Sequence, residues 1–293
     1  MAPLAALACL AGLALVPASA SAAAGFGRLS GPGGCLAAPG LASSDQGTSG
    51  CGVGKALVGP SAVAVSPDGL NVYVASGTAG ATVAASFGSL AILKRDPATG
   101  AVSEVGCLSS DGTDGRDGAS GACTPSPSLL GADGVTVSPD GLSVFVAASY
   151  SGSVVAFARN PADGSLTRFG CLQARPVGGT ACPYANVFTS SGAIVASADS
   201  RSLYVAAPTV GSVSTLTAAP APAPASAPTP APTSGASTPP ATPAPTAASI
   251  FGGTVTQPLG NSCIAANGFD GVCSVGVAIL GLGSLALSPD GKN

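Results

Sequence analysis

The sequence predicts an all-β fold made from one repeated unit of four short strands. Three observations carry that prediction. The phrase "VAVSPDGLNVYVA" at 63–75 returns as "VTVSPDGLSVFVAA" at 135–148, and it begins again as "SPDGKN" at 288–293. Eight of the nine cysteines form four pairs, and the second member of each pair stands 15 residues before such a phrase: Cys51 to Ser66, Cys123 to Ser138, Cys182 to Ser197 and Cys273 to Ser288. Glycine (42) and proline (26) are abundant and charged residues only 8%, with no long amphipathic helical stretch, so the chain reads as strands and turns.

The elements follow in order. Residues 1–24 read as a secretory signal, with a leucine/alanine core ending in small residues at Ala18-Ser19-Ala20. The apolar run before Pro17 is too short to span a bilayer. It lacks the usual basic start, which leaves an anchor or a misplaced start codon as the other readings. Cys9 belongs to this segment, so residues 25–293 keep an even set of eight cysteines.

In the second copy, Val135 and Val137, then Val144 and Val146, alternate at period two, the pattern of half-buried strands. Between them Pro139 presets φ for the first corner of a turn, Asp140 takes the second, and Gly141 supplies positive φ. That is a tight hairpin with a bulge. A third run follows as "GSLAILKRD" (88–96), "GSVVAFARN" (152–160) and "GSVSTL" (211–216). A fourth follows as "TGAVSEVGC" (99–107), "DGSLTRFGC" (163–171) and "GGTVTQPLGNSC" (252–263).

The basic period is 59 residues, from Ser138 to Ser197. The first period is 72, with eight extra residues near 77–88 and five in the cysteine loop. The third turn, "SADS" at 197–200, has lost proline and glycine but keeps its place. The third unit carries 33 extra residues at 217–249, rich in Pro, Ala, Thr and Ser, between its third and fourth strands. This tract cannot build a core and is expected as solvated polyproline II or disordered chain. Its Ser and Thr beside Pro suit O-glycosylation, with an unmodified spacer as the plain alternative. The run "SVGVAILGLGSLAL" at 274–287 falls short of the ~20 residues of a membrane span and reads as a buried strand.

Four-stranded units at this period are the mark of β-propeller blades. About three and a half are present, and the ending inside a fourth hairpin is expected for a fragment truncated at the C-terminus. The blade motifs quoted above, with the turns "KRDPATG" (94–100) and "ARNPADG" (158–164), resemble the seven-bladed lactonase-like propellers, the 6-phosphogluconolactonase-type and YVTN-repeat proteins. The resemblance covers roughly 60–216 and 250–293. It implies the propeller scaffold and, by the family's name, a hydrolase that opens sugar lactones. Histidine is among the residues expected around the channel of such lactonases, and this chain has none, so no catalytic residue carries over. The chain has no tryptophan, hence no WD dipeptide, and fits the WD40 class poorly.

The lack of histidine also removes Ser-His-Asp triads and histidine-ligated metals. Cys35/Cys51, Cys107/Cys123, Cys171/Cys182 and Cys263/Cys273 are spaced poorly for zinc. Behind a signal segment they are expected as disulfides within each pair. Asp111, Asp114 and Asp117 in "DGTDGRDG" are oxygen ligands at a spacing that suits calcium, though Asp-Gly pairs are also ordinary turn formers. No other cofactor is implied. A net charge of −3 with no basic cluster argues against nucleic acid and anionic membranes.

The reading is therefore a secreted or cell-surface propeller that binds an unidentified protein or carbohydrate and has no membrane span in the mature chain. A sugar-lactone hydrolase is the alternative. The register puts the Ser-Pro-Asp-Gly turns and the proline-rich tract on one face of the propeller, and the cysteine loops and the eight-residue insertion on the other.

Overall fold

The computed structural model describes residues 29–38, 50–78, 87–115, 121–174, 182–183, 192–218, 255–256, 263–265, 274–275, 283–288 and 290. A short two-stranded pair comes first, β1 (Leu36–Ala37) and β2 (Gly52–Val53). Three blades of a β-propeller-like fold follow, each an antiparallel meander.

Blade 1 is β3 (Pro60–Val65), β4 (Asn71–Thr78), β5 (Phe87–Arg95) and β6 (Val102–Ser109), with β7 (Thr124–Pro125) added at its outer edge. Blade 2 is β8 (Ala132–Val137), β9 (Ser143–Ala148), β10 (Ser153–Arg159) and β11 (Leu166–Gln173). Blade 3 is β12 (Ala193–Ala196), β13 (Ser202–Ala207) and β14 (Ser212–Ala218). Its fourth strand is described at β15 (Val255–Thr256) and β16 (Cys263–Ala265), and β17 (Ser274–Val275) lies at its edge.

The hairpin between the first two strands of a blade is held by serine and aspartate more than by proline and glycine. Ser66 Oγ donates to Asp68 Oδ1 at 2.6 Å, the same carboxylate oxygen accepts the Leu70 N–H at 3.0 Å, and Asn71 N–H donates back to Ser66 Oγ at 2.9 Å. Ser138 and Asp140 repeat this cage, as do Ser197 and Asp199 in the copy without Pro or Gly. There Ser200 takes φ 59°, where Gly69 and Gly141 have 71° and 73°. Side-chain-to-backbone bonds of this kind explain why the third turn keeps its shape.

The cysteine loops are also copies of one device. Disulfides join Cys35 to Cys51, Cys107 to Cys123 and Cys171 to Cys182. Just after each, the chain makes a short parallel pairing: Leu36 with Gly52 and Ala37 with Val53, Leu108 with Thr124 and Ser109 with Pro125, and Gln173 N–H to the Pro183 carbonyl at 3.0 Å. Cys263 is disulfide-bonded too, and Ile264 pairs with Ser274 in the same parallel register. Its expected partner, Cys273, lies outside the described residues.

The blades stack face to face. Tyr73, Ala75, Leu90, Ile92 and Leu108 of blade 1 meet Val135, Val144, Val146, Val155 and Phe157 of blade 2. The opposite face of blade 2, with Phe145, Val154 and Leu172, meets Ile194, Leu203, Val205 and Leu216 of blade 3. The remaining face of blade 1 is covered in part by Leu36, Ala56 and Leu57 from the segment before it. Fully buried side chains of this size contribute about 1.5–3 kcal/mol each.

At the first junction an ion pair is sealed between blades. Arg159, 2% exposed, donates to Asp68 Oδ2 at 2.7 Å, Asn71 Oδ1 at 2.6 Å, the Tyr73 hydroxyl at 3.0 Å and its own blade's Gly141 carbonyl at 2.9 Å. Tyr73 in turn donates to the Gly164 carbonyl at 2.9 Å. Position 164 must be glycine, because a Cβ there would lie 2.2 Å from the Asn71 amide nitrogen.

Thr217 pairs with Thr256, so the long connection at 219–254 springs from the same blade end as the Ser197–Ser200 turn. The tract at 217–249 lies almost wholly outside the described residues, as does the insertion at 79–86. The strand ends flanking that insertion, Thr78 and Phe87, pair with each other, and Ser110 N–H donates to the Gly88 carbonyl beside the cysteine loop.

Candidate binding site

A cavity of about 800 Å³ opens on the flank of blade 1. One wall comes from the segments beside the Cys35–Cys51 disulfide, with Leu36, Val53 and Lys55. The other comes from β5 and β6, with Lys94, Asp96, Glu104 and Val105. The disulfide fixes the first wall. A bulge shapes the second: Ile92 pairs with Gly106 and Leu93 with Glu104, so Val105 is the extra residue. A bulge re-aims side chains next to it, and Val105 stands 51% exposed.

Glu104 is the central polar group. Its Oε2 accepts the Lys55 backbone N–H at 2.7 Å, which latches the loop to the blade. Its Oε1 is buried and accepts nothing. Burial pushes the carboxyl above its usual value; the Lys55 N–H and the Lys55 charge pull it down, and the charge of Asp114 adds to the rise. An ionisable oxygen held without a partner costs about 1–3 kcal/mol or more, so it is a place where a ligand donor gains free energy. Val53, 62% exposed, and Val105 add an apolar surface to this wall.

The three residues expected as calcium ligands are described only in part. Asp111 Oδ1 accepts from the Thr113 N–H at 2.9 Å and the Thr113 hydroxyl at 2.8 Å, an Asp-Gly turn of the ordinary kind. Asp114 is buried at 7% exposure beside the cavity's carboxylate. Asp117 lies outside the described residues, and among the described residues no three His, Cys, Asp or Glu form a metal-sized group. Among the described residues three disulfides staple the cysteine loops, and Cys107 lines the cavity. Sequence reasoning missed Lys55, Lys94, Asp96 and Glu104. One signal was available: Glu104 and Arg168 both stand three residues before the first cysteine of a pair. There Arg168 donates to Cys171 Sγ at 2.7 Å.

Among the described residues no helix is long and apolar enough to cross a membrane. No protein-family model matches the chain, and no curated protein does. Solved structures do resemble it. A 6-phosphogluconolactonase candidate from Bacteroides uniformis is 19% identical over 55% of this chain and 39% of its own, with a TM-score of 0.35. The periplasmic gluconolactonase of Pseudomonas aeruginosa is 18% identical over 80% and 63%, with a TM-score of 0.32. Hydrazine synthase of Kuenenia stuttgartiensis is 16% identical over 85% and 44%, with a TM-score of 0.39. The chain thus spans less than two thirds of each of them, and likeness of this degree carries nothing about activity.

Proposed function

We propose that the protein is a binding module of an oxidising compartment outside the cytoplasm, and that its ligand is a carbohydrate seated in the blade 1 cavity. The observation that carries the reading is the Glu104 Oε1 atom, an acceptor buried in the cavity wall without a partner. A sugar hydroxyl is the donor it lacks. Lys94 and Asp96 supply further polar contacts, and Val53 and Val105 suit the C–H face of a ring. The disulfide in each described cysteine loop supports the compartment, because cytosolic thiols are kept reduced.

The test is a titration of the full chain against neutral and amino sugars. At least one should bind saturably, and Glu104→Gln should weaken it about tenfold, since a charge-assisted hydrogen bond is roughly twice as strong as a neutral one. An absence of sugar binders, or binders indifferent to Glu104→Gln, would contradict the reading. Gluconolactone and its 6-phosphate belong in the same experiment. No turnover above background is expected from a chain without histidine, and turnover lost on denaturation would favour the hydrolase instead.

A further inference from the structure

Among the described residues, one disulfide has a cation seated on it. Arg168, an exposed residue of β11, reaches three acceptors from one guanidinium nitrogen. It donates to Cys171 Sγ at 2.7 Å, to Cys182 Sγ at 3.1 Å and to the Ser128 hydroxyl at 3.3 Å. Ser128 is fully buried in the single turn Pro127–Leu129, and its Oγ lies 3.3 Å from Cys182 Sγ. No carboxylate competes for this arginine: among the described residues the one salt bridge is Arg159–Asp68.

The other cysteine loops lack the cation. Phe157 pairs with Arg168 and Leu93 with Glu104, each just before the same bulge, so Glu104 is the structural counterpart of Arg168 in blade 1. Glu104 is a carboxylate turned to the Lys55 N–H at 2.7 Å. Cys107 Sγ lies 3.4 Å from the Ala122 carbonyl oxygen, an electron-rich neighbour in place of a positive one. Three residues before Cys35 and Cys263 stand Pro32 and Gly260, neither of them charged. The four loops share one spacing and differ in this one charge.

That charge bears on sulfur chemistry. A guanidinium beside a sulfur favours the thiolate over the thiol, and a stabilised thiolate leaves a disulfide faster. The two sulfurs are also unequal in access. Cys171 is 7% exposed and packs in the core between blades 1 and 2, while Cys182 is only partly buried at its edge. A nucleophile from solvent therefore meets Cys182, and the sulfur it displaces is the one closest to Arg168.

We propose that Cys171–Cys182 is a thiol-exchange site for an external dithiol, with Cys182 attacked and Cys171 leaving onto Arg168. The first thiolate of the dithiol bonds to Cys182 Sγ, and the bond to Cys171 breaks with its electron pair going to Cys171. The second thiolate then displaces Cys182, which leaves with the pair of the mixed disulfide. The dithiol is oxidised to its own disulfide by two electrons, and its two protons go to the two cysteines or to solvent. The hydrogen bond from Gln173 to Pro183 keeps Cys182 near β11, so the reduced pair can close again. The site shares no residue with the sugar cavity and does not depend on it.

The test reduces the full, folded chain with rising dithiothreitol, caps free thiols with an alkylating agent and maps the peptides. Cys171–Cys182 should open first, at roughly tenfold less reductant than Cys107–Cys123. Arg168→Gln should close most of that gap and Arg168→Lys should keep most of it. In both variants Cys107–Cys123 serves as the control for an intact fold and should open as before. Glutathione in place of dithiothreitol should be trapped on Cys182. Disulfides that open together in the unmodified chain, an order untouched by Arg168→Gln, or glutathione on Cys171 would overturn the proposal.

Discussion

Arg159 and Asp68 form the salt bridge found among the described residues, and the two ends of the pair differ. The Arg159 side chain is 1% exposed and that of Asp68 35%. Removing Asp68 strands a buried guanidinium, which costs about 3–5 kcal/mol, whereas removing Arg159 leaves a carboxylate that water can reach, closer to 1.5–3 kcal/mol. In urea unfolding, Asp68→Ala should therefore be more destabilising than Arg159→Met. The pH dependence follows the same residues. Burial pushes Asp68 up, but hydrogen bonds from Ser66, Leu70 and Arg159, with the arginine's charge, hold it below its usual 3.8. Its contribution is complete above 3.8 and is lost as pH falls through the depressed folded value. Glu104 runs the other way. Its folded value is raised by burial, so the stability tied to its protonated form is present below 4.5 and is lost as pH rises through the folded value.

At the scale of elements, the repeated hairpin was legible because its period-two valines and its turn are local in sequence, and the 15-residue register made the blades countable. Less of the site was legible. Glu104 looks like any polar residue on an outer strand until a bulge and a loop from before the blade enclose it, and neither partner is near in sequence. The sequence places Pro139, Asp140 and Gly141 at the corners of the turn. Ser200 shows that the Ser-Asp cage does the holding, which residue-type rules for turns underweight. The tract gives this scale its prediction. Thr217 already pairs with Thr256 across it. Replacing residues 219–254 by about four turn residues should leave the fold intact and stabilise it by roughly 2 kcal/mol through a cheaper loop closure. Loss of cooperative unfolding in that variant would mean that the tract contributes to the core.

At the scale of the molecule, the account rests on one claim: four cysteine loops are copies of one device, each closing within itself before the chain enters the next blade. Loops of 16 and 11 residues closed this way add about 3 kcal/mol apiece in the chain-entropy picture. Stacked blades without those staples would lean on the inter-blade cores and the Arg159 network. Non-reducing peptide mapping tests the claim most directly. The account predicts Cys35 linked to Cys51, Cys107 to Cys123, Cys171 to Cys182 and Cys263 to Cys273, with no free thiol among the eight; a bond joining cysteines of two different loops would contradict it.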